Sequence, residues 1–556
     1  MNKLLLAKLS RHFRPRLIDA LKDYDKTRFS ADLIAGFTVG IVALPLAIAF
    51  AIASGAKPEA GLFTAIIAGF LISALGGSRV QIGGPTGAFI VIVYGIIAQY
   101  GFANLLICTI MAGVMLVGMG AFGLGSLINY FPRPLIIGFT NGIAVLIALS
   151  EFKDFLGLQT GKLPAEFFHK MTALWHALPS MDPLTFTLAA LSTLFIWFYP
   201  KTWAQRFPSP IMALMAGTAI AALFHLPVET IGTRFGGIPQ SLPAFSMPAF
   251  SISALRNLIM PAFTIALLGA IESLLSASVA DGMIDERHDP NQELMAQGIA
   301  NMTVPFFGGI PATGAIARTA TNVRAGGTSP ISGIVHALTL LLVVLLAAPL
   351  ARYIPLASLA AILLIVSINM GEWEVFGHLK SYPRNDTIVL LVTFVFTVIF
   401  DLTVAVEVGL LLAAIFFIRN MTELSSIQLS ETQPDNGMHV HQTTPHGVLI
   451  YRLYGALFFG VVDKLESVLH QQHDEPDVLI LNMSEVISMD ASALHVLEHL
   501  HRKLKKHEKH LILCGPHTQP FFLMHQSGFF EEIGKPNVSA NLDDAIARAK
   551  ELLKKD

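Results

Sequence analysis

Two ionisable side chains stand inside strongly apolar sequence, where a plain membrane-crossing helix has no use for them. Arg318 ends the stretch Gly308-Gly309-Ile310-Pro311-Ala312-Thr313-Gly314-Ala315-Ile316-Ala317-Arg318, and Glu272 sits in Leu267-Leu268-Gly269-Ala270-Ile271-Glu272-Ser273-Leu274-Leu275. A charge near the centre of a bilayer costs about 2.5–3.5 kcal/mol on insertion scales, so each calls for a partner or a ligand. The glycines and the proline ahead of Arg318 point to a broken helix whose free end faces a buried solute. Upstream, Gly83-Gly84-Pro85-Thr86-Gly87-Ala88-Phe89 repeats the idea, with Gly-Gly, then Pro, then Thr-Gly-Ala. Paired Gly/Pro interruptions in two halves of a membrane protein point to a binding site. A helix start offers unpaired N–H groups and a partial positive charge, so two starts facing each other make an anion site. The backbone of Gly314, Ala315 and Ile316 is expected to face that of Thr86, Gly87 and Ala88. Thr86 and Thr313 add hydroxyls, and glycines such as Gly83 and Gly309 allow close approach. Small residues packing helices together are the plainer explanation of the glycines. Glu272 lies between burial, which favours its neutral form, and a nearby arginine, which favours its ionised form; such a carboxyl can carry a proton. A fixed Glu272–Arg318 ion pair is the structural alternative. Arg324, nearer the end of its segment, is expected to reach the interface.

The elements that hold these residues follow from the bulk pattern. The chain has 556 residues, 53% hydrophobic and 14% charged, against about 25% charged in soluble domains. Membrane-length apolar runs recur from about Asp32 to Ile418, and the tail beyond Asn420 has ordinary soluble composition. We read spans at 31–54, 60–75, 85–98, 102–124, 131–150, 183–200, 209–226, 252–280, 291–307, 313–324, 328–351, 355–370, 385–402 and 404–419. The third and tenth are half-length. Seven spans per half, with the short one third in each, predict an inverted repeat. The domains expected are a cytoplasmic segment at 1–30, a transport domain at 31–420 and a soluble domain at 437–556. Eight Lys/Arg among the first 28 residues, from Lys3 to Arg28, predict an amphipathic interfacial helix and place the N-terminus in the cytoplasm. An even span count puts the tail there too. The segment 227–250 reads as a loop into the second half, and 281–290 as a charged loop whose role is solvation.

The tail alternates strand and helix patterns. Val448–Tyr451, Val478–Leu481 and Leu511–Cys514 read as strands, Ala491–Lys506 and Leu542–Leu553 as amphipathic helices, the second capped by Asn541. Ser488-Met489-Asp490-Ala491-Ser492 precedes a helix, where Asp490 or Ser492 is expected to cap. Cys108 and Cys514 are too few for a disulfide framework or a metal site. Net charge is -2, which implies no nucleic-acid partner. No nucleophile–base pair or metal cluster appears, so neither an enzyme nor a cofactor is expected.

These residues resemble the SulP anion transporter family, which includes sulfate permeases, bicarbonate transporters and prestin. The resemblance rests on Asp32-Leu33-Ile34-Ala35-Gly36 with Leu44-Pro45, on Pro58 to Thr64, on Gly83-Gly84-Pro85-Thr86, on Ala270 to Leu275 and on Asn301 to Arg324. The tail resembles the STAS module of these transporters and of anti-sigma-factor antagonists. The resemblance implies a polytopic α-helical fold of fourteen spans as a seven-plus-seven inverted repeat, plus an α/β STAS domain. Spans 1–4 and 8–11 form a core, and 5–7 and 12–14 a gate. Solute sits between the half-helices and the core moves as an elevator. It also implies a homodimer in the inner membrane, with a protein partner open for the STAS domain. The family's binding arginine falls on Arg318, its acidic residue on Glu272 and its third-span threonine on Thr86. Leu46 stands where sulfate-type members carry Gln, and Ala315 to Arg318 resembles a bacterial dicarboxylate member. Sodium-bicarbonate members have Asp at the Glu272 position and Thr at that of Ile316, which argues against sodium coupling. The residue phosphorylated in anti-sigma-factor antagonists matches Ala491, which has no hydroxyl; Ser492 stays open. The function expected is proton-coupled symport of sulfate, a four-carbon dicarboxylate or a related oxyanion. An anion exchanger, an uncoupled channel, a sodium-bicarbonate symporter or a STAS-based membrane sensor are the alternatives.

Overall fold

The computed structural model describes residues 13–22, 24–126, 131–161, 163–164, 166–204, 208–241, 243–248, 252–400, 402–424, 426–429, 445–458 and 476–554. The chain divides into two compact units, Met1–Leu410 and Leu411–Asp556.

A helix occupies each of the fourteen expected stretches. They are α1 (Lys26–Ala53), α2 (Pro58–Leu75), α3 (Phe89–Tyr100), α4 (Phe102–Ala121), α5 (Arg133–Leu156), α6 (Pro183–Phe198), α7 (Ser209–Leu223), α8 (Ile252–Ile284), α9 (Pro290–Thr303), α10 (Ile316–Arg324), α11 (Pro330–Ala351), α12 (Leu356–Met370), α13 (Arg384–Ile399) and α14 (Leu402–Leu424). Among the described residues, seven helices are long and apolar enough to cross a membrane: α1, α2, α4, α5, α8, α11 and α14. The others run from 9 residues in α10 to 16 in α6 and α13, so helix length alone does not carry a count of fourteen crossings. A further helix, Phe167–Ala177, has no counterpart among the expected spans; it is amphipathic, with only Lys170 and Leu174 buried.

The packing has the exchange pattern of an inverted repeat. Helix α1 packs on α11 as α8 packs on α4; α2 packs on α11 as α9 packs on α4; α1 meets α10 as α8 meets α3. Likewise α6 packs on α12 as α13 packs on α5. Each contact thus recurs with the halves swapped. Where α4 crosses α9, a Cβ at Gly113 would stand 2.6 Å from the Gly298 carbonyl oxygen, and one at Gly298 equally close to that of Gly113. Only glycine at both positions allows this backbone approach.

The described part of the N-terminal segment is no free interfacial helix. Residues Arg16–Ala20 form one short helix. The Arg16 N–H donates to the Gly76 carbonyl at 2.9 Å, and the Arg14 N–H to Gln292 Oε1 at 2.8 Å. Lys3, Lys8 and Arg11 lie outside the described residues. The loop 281–290 also does more than solvate: Glu286 pairs with Arg79 and with Arg16, and Asp281 with His288 at 2.7 Å.

In the second unit a five-stranded sheet has the order β3-β4-β5-β6-β7, where β1 and β2 are the two-residue strands Gly83–Gly84 and Thr313–Gly314 of the first unit. The five are β3 (Ser426–Leu429), β4 (Val448–Leu457), β5 (Val478–Met489), β6 (His510–Cys514) and β7 (Val538–Ser539). Strand β3 is antiparallel to β4 and the rest are parallel. Helix α15 (Ala491–Lys506) buries Leu497 and Leu500 on one face of the sheet, and α18 (Leu542–Leu553) buries Ala545 and Ala549 on the other. Two shorter helices, α16 (Thr518–Ser527) and α17 (Phe529–Ile533), stand between them in sequence. Asn541 caps α18, and Asp490 caps α15 by accepting from the Ala493 N–H at 2.9 Å. Asp490→Ala removes that acceptor and lowers the stability of this domain by about 1 kcal/mol. Faster hydrogen exchange in the first turn of α15, with α18 unchanged, is the expected readout.

Candidate functional site

The two glycine breaks meet. Strands β1 and β2 pair antiparallel, Gly83 opposite Gly314 and Gly84 opposite Thr313. The ribbon continues where the Ala315 N–H donates to the Ile82 carbonyl at 2.8 Å and the Ile82 N–H to Thr319 Oγ1 at 3.0 Å. Irregular backbone buried at membrane depth must satisfy its polar groups internally, and scattered side chains do this. The Thr64 hydroxyl accepts from the Ile310 N–H at 2.7 Å and donates to its carbonyl at 3.0 Å. The Asn301 amide does the same for Ala312, both bonds at 2.8 Å. Gln81 Nε2 donates to the Ser273 carbonyl at 3.1 Å, tying the ribbon to α8.

From this junction α3 and α10 run outward, so both present their N-termini to it. In α10 the first main-chain bond is Thr319 N–H to Ala315 carbonyl, 2.8 Å. The N–H groups of Ile316, Ala317 and Arg318 precede it and have no helical acceptor. In α3, Phe89 and Ile90 donate back to Thr86 and Gly87, leaving the Gly87 and Ala88 N–H groups at the tip. Neither Ala88 nor Ala315 provides a side-chain cap.

The structure therefore brings Thr86, Gly87, Ala88, Gly314, Ala315, Ile316 and Arg318 together, with corrections in detail. The N–H of Ala315 is already bonded to Ile82, so it is not a free donor. Ala317, which the sequence did not single out, presents one instead. The hydroxyl of Thr313 turns away and donates to the Gly269 carbonyl at 2.9 Å. The walls at the α3 tip carry no signal in the sequence. A Cβ at Gly87 would lie 3.3 Å from Ile147 Cδ1, 3.5 Å from Phe50 Cε1 and 3.8 Å from Met370 Sδ. These come from α5, α1 and the end of α12, and nothing distinguishes their apolar side chains from the many others in those runs.

Arg318 is 2% exposed. Its Nη2 donates to the Pro85 carbonyl, and its Nη1 has no partner among the described residues. Gly84, at φ 152°, clears the way: a Cβ there would stand 2.5 Å from Nη1. Glu272 accepts from the Thr86 hydroxyl, 2.9 Å to Oε2. The Glu272–Arg318 ion pair raised as a structural alternative is not formed; among the described residues neither has an ion-pair partner. One carboxyl therefore touches the α3 tip through Thr86, while one cation braces the same loop through Pro85. Arg324, at the far end of α10, is exposed.

Comparison with known proteins agrees with this architecture. Residues 29–393 match the model of the sulfate permease family, and residues 439–545 that of the STAS domain. A putative sulfate transporter of Bacillus subtilis, YvdB, is 45% identical over 95% of this chain and 99% of its own. The bicarbonate transporter BicA of Picosynechococcus is 30% identical over 93% of this chain and 94% of its own. The solved transmembrane domain of a cyanobacterial BicA superposes with a TM-score of 0.63 at 32% identity, covering 70% of this chain and 98% of that one. The murine Slc26a9 anion transporter, in its inward-facing state, gives a TM-score of 0.86, covering 99% of this chain and 95% of that one; at 19% identity this speaks for the fold alone. The chain belongs to the sulfate permease family, and a STAS domain follows its membrane-embedded part.

Proposed function

We propose that this protein is a secondary transporter that moves small anions, sulfate, a four-carbon dicarboxylate or a related oxyanion, together with protons by an elevator motion. The observation that carries the reading is the ribbon of Gly83–Gly84 against Thr313–Gly314, which sets two uncapped helix starts beside one buried cation, Arg318. Two half-charges of about +0.5 and a guanidinium favour a negative solute over a positive one. The N–H groups of Gly87, Ala88, Ile316 and Ala317 would hold the anion, Thr86 would contribute its hydroxyl and Arg318 would balance charge. Relatives named for sulfate and for bicarbonate support the anion class.

Glu272 is the proton carrier in this reading. When ionised it accepts from Thr86; when protonated its own O–H can donate, which reorients the Thr86 hydroxyl at the α3 tip. The elevator rests on the packing: α1–α4 with α8–α11 form one set, and α5, α6, α12 and α13 another, whose Ile147 and Met370 face the tip. We further propose domain limits of 31–420 and 437–556, fourteen crossings with both termini cytoplasmic, an inner-membrane location and a homodimer.

Purified protein in proteoliposomes, offered sulfate, succinate, fumarate, bicarbonate and chloride with and without a pH gradient, tests the reading. Uptake of the preferred anion is expected to rise with an inward proton gradient, and Glu272→Gln to transport at a rate that no longer varies with pH. Unchanged pH dependence in Glu272→Gln would refute coupling through this residue. Current driven by voltage alone would mark an uncoupled channel instead.

A further inference from the structure

Behind the ribbon lies a second buried polar group that the reading above does not use. His336, on α11, is 0% exposed, and neither ring nitrogen has a partner among the described residues. Arg318 Nη1 shares that condition. Both lie against the same turn of chain. A Cβ at Gly69 would stand 3.1 Å from the Gly83 carbonyl oxygen, 3.4 Å from His336 Cε1 and 3.5 Å from its Nδ1, while one at Gly84 would meet Arg318 Nη1. The ring is thus packed against Gly69 of α2, which also borders the Gly83 carbonyl of β1, and the main chain of His336 meets Gly40 of α1. The charged group whose field reaches it is Arg318 of α10.

A guanidinium has five N–H donors and no acceptor; a neutral imidazole has one free lone pair. Two orphaned groups of matching sense, this close to one ribbon, are each other's natural partners, because an unmet buried donor retains its full desolvation penalty. Beside a buried cation in so dry a place, an uncharged acceptor is the one that fits at least cost. Its neutrality also matters for the solute. A carboxylate at this position would bond Arg318 and cancel its charge, whereas the Pro85 carbonyl and an imidazole nitrogen hold it and leave the charge whole.

We propose that His336 is a positioning residue for the anion site: it accepts from Arg318 Nη1 through one buried water and fixes the guanidinium without neutralising it. The proposal rests on the reading of Arg318 as the anion's counter-charge. The test uses the full chain in proteoliposomes and whichever of sulfate, succinate, fumarate, bicarbonate or chloride the wild type moves. His336→Gln, which keeps a neutral acceptor, is expected to retain KM within about threefold of wild type. His336→Leu is expected to raise KM about tenfold with little change in Vmax, and His336→Asp to cut Vmax/KM by about a hundredfold or more. A wild-type KM in His336→Leu, or a His336→Gln as impaired as His336→Leu, would overturn the proposal. Should His336→Leu not fold, equal transport by His336→Gln and His336→Asp overturns it as well. Normal transport by Arg318→Ala would instead sink the underlying site reading, so the two failures are separable.

Discussion

Arg318→Ala is expected to lower Vmax/KM for the transported anion by about a hundredfold to a thousandfold, with the protein still folded. The size follows from Coulomb's law. At an effective dielectric near 20, a unit charge about 4 Å from an anion contributes about 4 kcal/mol, and each 1.4 kcal/mol is tenfold. Arg318 is buried and, among the described residues, makes no ion pair that would neutralise that field. The two helix starts remain in the variant, which is why binding weakens rather than vanishes. Arg318→Lys restores a charge but not the fork: an ammonium that reaches the Pro85 carbonyl cannot also hold a second acceptor at the guanidinium's spacing. Lys is therefore expected to recover about a tenth of wild-type Vmax/KM. Uptake by Arg318→Ala at the wild-type rate would show that the cation braces the Pro85 loop and does nothing for the solute. Retained expression and an unchanged elution profile in detergent separate loss of function from loss of fold.

Much of this site is legible in the residues themselves, because its signal is breakage. Gly83-Gly84-Pro85 and Gly308-Gly309-Ile310-Pro311 interrupt apolar runs that would otherwise continue as helices, and the chain does leave helical geometry at both places. The half-length α3 and α10 follow directly. Helix periodicity in a soluble setting is equally readable, as α15 and α18 occupy the expected residues. Pairing across long separations is not. Arg318 reaches the carbonyl of Pro85 across 233 positions, and a main-chain carbonyl has no residue signature by which to be anticipated. Glu272 meets the Thr86 hydroxyl rather than the cation for a reason equally invisible in sequence: which face of α8 looks at α3. The supports Thr64, Asn301 and Gln81 are ordinary polar residues in apolar runs, and only the direction of each side chain makes it a brace. The strands β4 and β5 run past the apolar quartets that announce them, since their outer ends pair through backbone beside mixed side chains.

At the other end of α1, Asp32→Ala is expected to lower stability by about 3 kcal/mol or more. Asp32 is 0% exposed and acts as a clamp between α1 and the start of α11. Its Oδ1 accepts from the Thr328 N–H at 2.6 Å, the Thr328 hydroxyl at 3.2 Å and the Ser329 N–H at 3.2 Å. Its Oδ2 accepts from the Ser329 hydroxyl and from the Tyr24 hydroxyl, the latter at 2.9 Å. Ser329 in turn caps α11 by accepting from the Ile331 N–H at 3.2 Å. Alanine leaves all these donors without their acceptor in a buried place, where each orphan costs about 1–3 kcal/mol unless water reaches it. Tyr24→Phe removes a single bond and is expected to cost about 1 kcal/mol. Tyr24 also sets the pH window. Burial, and then its bond to Asp32, push its phenol up from the ordinary value to about 12. The folded protein therefore prefers the protonated phenol. The contribution of Tyr24 is whole below about pH 10, the unfolded value, and is lost as pH rises through about 12. Between about pH 6 and 9 the gap between wild type and Tyr24→Phe stays constant; above about pH 10 it closes, because the wild type weakens and the variant has no phenol to lose. Thermal unfolding in detergent reads both variants. Since α1 and α11 also carry the contacts that pack α2 and α10 around the ribbon, a loosened clamp is expected to reduce transport only after the midpoint has fallen. An Asp32→Ala protein with a wild-type midpoint would mean that water replaces the carboxylate at no cost, and that the two halves of the core are joined elsewhere.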